Sequence, residues 1–214
     1  MDIGYIILVI GVILFSMTLH EAMHAFMGYF LGDDTAKLEG RLTLNPIKHI
    51  DPFLTIILPI ILVISGGPVF GGAKPVPFNP NRVKFDEWGA ALVALAGPLT
   101  NLLIAFVSFG LFAILYIQGF APQGSEWLAT VLTTTVTVNL GFFVFNMLPI
   151  PPLDGSRVIY AIAPEFVRRG MEAIEQFGII LVFAIVLLAS SAIGSIMGAG
   201  IDGIIDAFSW IFRV

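Results

Sequence analysis

Residues 3 to 31 read IGYIILVIGVILFSMTLHEAMHAFMGYFL. About 20 apolar residues carry a helix across a bilayer, so this run has length to spare and is expected to tilt or protrude. Inside it, at 19 to 26, stands LHEAMHAF, with His20, Glu21 and His24 where lipid would take hydrocarbon. One charge at the bilayer centre costs about 2.5–3.5 kcal/mol even on a lenient insertion scale. Three ionisable groups within five residues therefore imply a site rather than packing.

The rest of the chain has the same character. Of its 214 residues 57% are hydrophobic and 12% charged, about half the charge a soluble domain carries. This composition predicts an all-α polytopic membrane protein with short loops, forming a single membrane-embedded domain over residues 1–214. There is no cysteine, so disulfides are excluded. The N-terminal MDIGYIILVI lacks a positive n-region and a small-residue cleavage site, and is expected to stay as a membrane helix. A net charge of −5 without a basic run argues against nucleic acid as a partner.

Three further spans follow in the pattern: Trp88 to Ile117, Trp127 to about Leu148, and about Phe177 to Met197. The first two open on an interface-suited tryptophan. Phe53 to Ser65 is apolar but short and holds Pro59, which favours a re-entrant or interfacial segment. Residues 66 to 80, GGPVFGGAKPVPFNP, form an irregular loop. Arg41 to Leu44 alternates with the two-residue period of a strand, which suggests a small β-like hairpin. The tail GIDGIIDAFSWIFRV is weakly amphipathic and suits a membrane surface. Gly194 and Gly198 make a G-x-x-x-G pattern, read as close packing within the protomer.

Lysine and arginine set the orientation. If residues 53 to 65 do not cross, segments 32–52, 66–87 and 154–176 share a face and hold nine of the ten basic residues. The positive-inside rule makes that face cytoplasmic and puts the N-terminus outside.

His20 and His24, one helical turn apart, can reach one ion, with Glu21 beside that face, able to touch a bound water. H-E-x-x-H on a helix binds zinc, the glutamate serving as general base. A catalytic zinc takes three protein ligands, and the candidates for the third are His49 and Asp154. Asp154 fits better. It follows Pro149, Pro151 and Pro152, whose broken backbone must line a polar cavity at membrane depth. With Zn²⁺, neutral histidines, Asp154 and Glu21, the charge sums to zero. His20 lies about 26 Å along the helix from Ile3, on the side where the span before Asp154 also ends. His49 is left as a second-shell candidate.

HEAMH in a membrane helix, AGPLTN at 96–101 and NMLPIPPLDG at 146–155, in that order, resemble the site-2 protease family of intramembrane zinc metalloproteases. The likeness covers roughly residues 15 to 165. It implies one Zn²⁺ per chain on His20, His24 and Asp154, and Glu21 activating the water. It also implies a substrate-binding or oxyanion role for Asn146, with Asn101, Gly97 and Pro98 in a motif near the site; Asn101 is a second substrate or oxyanion candidate. No stretch is long enough for a PDZ-like domain, which suggests the compact prokaryotic branch and a multi-pass place in the cell membrane. The implied substrate is a transmembrane protein or peptide in the lipid bilayer; the oligomeric state stays open. Loop 66–87, and Lys74 to Pro77 within it, could gate the site, and Arg41 to Leu44 could hold an unwound substrate strand. The alternatives are a zinc transporter and a catalytically silent scaffold that binds membrane proteins.

Overall fold

The computed structural model describes residues 2–57 and 72–214, and among these the chain is helical without a strand. Helix α1 runs Ile3–Leu31, the range expected from its apolar run. Asp2 caps its first turn by accepting from the Gly4 amide, 3.2 Å away. Gly32 ends it at φ 111°, the left-handed conformation that glycine takes without strain. The short α2 is Thr35–Leu38. Helix α3 is Asp86–Phe112, prolonged by a wide π-helical turn over Ala113–Ile117. Helix α4 is Glu126–Asn146, α5 is Asp154–Ile162, α6 is Glu165–Glu175, α7 is Gly178–Leu188 and α8 is Ser190–Phe212. Helices α1, α3 with its extension, α4 and α8 are each long and apolar enough to cross a membrane.

Helix α3 is the centre of the bundle, packing against α1, α4 and α5. Small residues along it, Ala90, Ala91, Ala94, Ala96 and Ala105, let the neighbours approach closely. Ala105, Phe109, Val136, Leu140 and Phe208 form a buried cluster joining α3, α4 and α8. Of the five threonines in helix α4, Thr130, Thr133, Thr135 and Thr137 each donate to the carbonyl four residues back, which satisfies their hydroxyls within the helix.

Two expectations are corrected here. The last span is not Phe177–Met197 with a surface-lying tail: the chain breaks at Ala189, and the helix Ser190–Phe212 takes in the tail. Phe208 and Phe212 pack on Phe106 and Phe109, with ring centroids 5.1–5.9 Å apart. Ile201, Ile204, Ile205, Phe208 and Phe212 make one stripe, while Asp202 and Asp206 on the exposed side gave the tail its interfacial look. Close packing occurs at Gly200 against Val144, and at Gly110 against the Phe212 ring. Nothing among the described residues crowds Gly194 or Gly198.

The β-like hairpin at Arg41–Leu44 is absent as well. The Thr43 amide bonds the Arg41 carbonyl at 3.0 Å, closing a tight turn, and the Arg41 side chain is buried rather than alternating outward. Of the short segment 53–65, Pro52–Ile57 forms a wide helical turn and the remainder lies outside the described residues.

The chain returning from that region is tied to α1. Asp33 is buried and accepts from the Thr35 amide and hydroxyl and from the Asn79 amide at 2.7 Å. Burial pushes the Asp33 carboxyl up, but the Asn79 and Thr35 donors and the Arg82 charge outweigh it and hold it below the usual carboxylate range. A depressed acid stabilises the fold above its unfolded pKa, about 3.9, and loses that contribution as pH falls through its folded value. The thermal-stability gap between the wild type and Asp33→Asn in detergent is therefore expected to hold from pH 8 to 5 and shrink below about pH 4.

Candidate metal centre

His20 and His24 lie one turn apart on α1, and α3 crosses directly behind them. The sequence of α3 permits that crossing: a Cβ added at Gly97 would stand 2.4 Å from His24 Nε2 and 2.7 Å from His20 Nε2. Next to it Pro98 offers no N–H to the Ala94 carbonyl, so this turn of α3 is one internal bond short. The adjacent Val93 carbonyl accepts a bond from His24 Nδ1 at 2.7 Å.

Asp154 arrives from the turn that follows α4. Helix α4 stops at Asn146, and the proline-rich turn that follows carries the chain into α5, whose first residue is Asp154. Gly155 makes the tight return feasible, since a Cβ there would meet the Met147 carbonyl oxygen at 2.3 Å. Asp154 Oδ2 ends 3.2 Å from His20 Nε2 and 3.4 Å from His24 Nε2, and the two Nε2 atoms are 3.0 Å apart.

Hydrogen bonds decide the histidine tautomers. Asn139 on α4 donates to the Thr135 carbonyl, an obligate acceptor, and to Ser16 Oγ. Its Oδ1 therefore accepts from Asn101 Nδ2 at 2.9 Å. That turns Asn101 Oδ1 toward His20 Nδ1, 2.6 Å away, so His20 carries its proton on Nδ1. His24 does likewise, because the Val93 carbonyl can only accept. In its neutral form each ring, with its proton on Nδ1, therefore offers the Nε2 lone pair to one point, which the two share with a carboxylate oxygen.

Three converging lone-pair donors repel one another unless a proton or a metal ion lies between them. Tetrahedral zinc with bonds of about 2.0–2.2 Å sets its ligand atoms about 3.3–3.6 Å apart, and the three separations here, 3.0, 3.2 and 3.4 Å, fall within or somewhat below that. His20, His24 and Asp154 are one such group found among the described residues. They fit a divalent metal in both geometry and donor chemistry.

The other candidate residues are placed as follows. Glu21 sits beside the group, its Oε2 accepting the Val76 amide at 3.0 Å. Asn101 is fully buried behind His20, its carboxamide bonded at one end to His20 and at the other to Asn139. Asn146 donates back to the Phe142 carbonyl at the end of α4. His49 is buried outside the ligand group, bonding the Thr43 carbonyl through Nε2 and facing Arg41 through Nδ1.

Asn139 and Ser16 are absent from the sequence reading, although a polar residue inside an apolar run was the available signal. The Val93 carbonyl and the Val76 amide are backbone groups that no residue type announces. Asn101→Leu, which removes the acceptor that fixes the His20 ring, is expected to weaken zinc affinity about 10–100-fold. Titration with a competing chelator reads this out, and unchanged affinity would show that the ring needs no such partner.

A model of peptidase family M50 matches residues 120–189. Three curated relatives carry zinc metalloprotease names. YwhC of Bacillus subtilis is 41% identical over 202 residues, 92% of this chain and 89% of its own. Rip2 of Mycolicibacterium smegmatis is 33% identical over 194 residues, 89% of this chain and 70% of its own. Rip2 of Mycobacterium tuberculosis is 31% identical over 191 residues, 86% and 67% of the two chains. No solved structure gives a match.

Proposed function

The chain belongs to peptidase family M50, the site-2 proteases, and on that premise we propose that it cleaves peptide bonds within or near transmembrane segments. The observation that carries this reading is the convergence of two histidine Nε2 atoms and one Asp154 oxygen within 3.4 Å of one another, with Glu21 adjacent. His20, His24 and Asp154 hold one zinc ion, which when bound supplies the Lewis acidity that activates water and polarises a carbonyl.

The chain's own groups do the rest. Glu21 takes the proton from the attacking water and returns it to the leaving amine. Asn101 and the Val93 carbonyl keep both Nδ1 atoms protonated and the rings aimed at the metal. Asn146, at the mouth of the turn leading to Asp154, is proposed to meet the substrate backbone. The whole of 1–214 serves as one membrane-embedded catalytic domain.

The basic residues put the loops before α3 and after α4 on the cytoplasmic side of the cell membrane, with the N-terminus outside. The site then opens toward the inner leaflet. Substrates are transmembrane proteins or peptides whose helix unwinds at the cut, since a helical carbonyl is already bonded and sheathed by side chains.

The test is purified protein in lipid vesicles with a panel of single-span substrates, products mapped by mass spectrometry. Cuts within or beside the apolar span support the reading. Zinc-loaded protein that cleaves none of the panel contradicts it.

A further inference from the structure

The segment Lys74-Pro75-Val76-Pro77-Phe78-Asn79 lies across α1 at Glu21 and is pinned along its length. The Lys74 amide bonds the His49 carbonyl at 2.9 Å, and the Lys74 carbonyl accepts from Arg41 Nη2 at 2.6 Å. The Phe78 ring packs with Met27, Leu31, Val83 and Val93 between α1 and α3. The Asn79 amide ends on Asp33. Just upstream, Thr55 Oγ1 donates to the Gly72 carbonyl at 2.7 Å.

Arg41 shows how much is invested in this anchoring. It is 4% exposed, and among the described residues no carboxylate lies in ion-pairing distance and its Nε has no partner. Residues 58–71 contain no acidic side chain that could supply one. A buried guanidinium spent on a backbone carbonyl is costly, which makes a passive connector a poor account of the loop.

The composition of the strap explains what is being held. Proline at 75 and 77 removes two donors and fixes two φ angles, and each proline also restricts the residue before it. Between positions 75 and 77, Val76 is left with the single N–H, and that N–H is aimed at Glu21 Oε2, 3.0 Å away. Among the described residues Glu21 Oε1 has no hydrogen-bond partner.

We propose that Val76 is a positioning residue for the general base, its proline-locked amide fixing one Glu21 oxygen so that the other stays free for proton transfer. This rests on the protease reading above. Arg41, His49 and Asp33 act one step further out, by holding the strap at the height where the amide meets the carboxylate. A freely rotating glutamate would lose the orientation on which proton transfer depends.

The test compares Val76→Pro, which deletes the N–H and keeps an apolar ring, with Val76→Ala, which keeps the N–H. Both are assayed for zinc content, KM and kcat on a single-span substrate in vesicles. Val76→Pro is expected to lose about 10–100-fold in kcat with zinc content and KM unchanged, as suits one charge-assisted bond. Val76→Ala stays within about twofold of wild type. In a Glu21→Asp background, where the shortened carboxylate no longer reaches the strap, Val76→Pro costs nothing further.

Wild-type kcat in Val76→Pro would overturn the inference alone. A rise in kcat would overturn it too, showing the strap to be a lid that keeps Glu21 idle. Loss of zinc, or an equal loss in both backgrounds, would reduce the strap to scaffolding. A wild-type protein that cleaves nothing sinks the protease reading, and this inference with it.

Discussion

Glu21→Gln is expected to lower kcat for a single-span substrate about 10²–10⁴-fold while zinc stays bound. The substitution preserves volume, and the amide oxygen can still accept from Val76, so the strap keeps its place. Glu21 lies outside the group His20, His24 and Asp154, so the residues proposed to hold the metal are untouched. Only basicity is lost. That separates the three functional classes open to a chain of this kind. A protease loses cleavage and keeps zinc. A zinc carrier would go on moving the metal, and a silent scaffold would keep its binding partner. Metal analysis beside a vesicle cleavage assay distinguishes them, and full cleavage by Glu21→Gln would remove Glu21 from the mechanism.

Gly97→Ala carries the second large effect, and from the opposite direction: here a methyl group is added. Its Cβ would sit 2.4 Å from His24 Nε2 and 2.7 Å from both His20 Nε2 and His24 Cε1. Those are the ring atoms that converge with Asp154, so the added carbon stands where the proposed ligands meet. The rings have little room to yield, because Asn101 and the Val93 carbonyl hold them from behind. Zinc affinity is expected to fall more than about 100-fold, with cleavage lost alongside. The helix itself gains, since alanine exceeds glycine in helix propensity by about 1 kcal/mol. That gain offsets part of the roughly 1–3 kcal/mol that overpacking costs, so the folded yield in detergent is measured beside the zinc content. Zinc retained at the wild-type level would mean that the metal lies elsewhere.

What the sequence made legible follows from where its information sits. Residue type and spacing pointed to the three residues that the fold brings together: two histidines a turn apart in an apolar helix, and an aspartate after a proline run that lipid would not tolerate. The extent of α1 was readable because polar Gly32-Asp33-Asp34 ends it sharply. Support around the metal was harder to see. Gly97 could be read as a close-packing residue, but not that its neighbours are imidazoles, since that depends on the angle at which α3 crosses α1. Asn101 stood in a motif that suggested substrate or oxyanion, whereas the bonds it makes are to His20 and Asn139.

The misreadings have a common physical cause. Arg41 to Leu44 alternates like a strand, but the buried guanidinium draws the chain into a turn, a long-range effect that no local pattern contains. In α8 two aspartates masked an apolar stripe that aromatic contacts with α3 reveal. Tertiary packing overrode local polarity in both.

The central claim is that His20, His24 and Asp154 grip a single zinc ion. Zinc K-edge X-ray absorption on chelator-free purified protein tests it most directly. One zinc per chain is expected, with two imidazole nitrogens at about 2.0–2.1 Å and oxygen completing the shell. An absence of stoichiometric zinc, or a shell without imidazole, would contradict it.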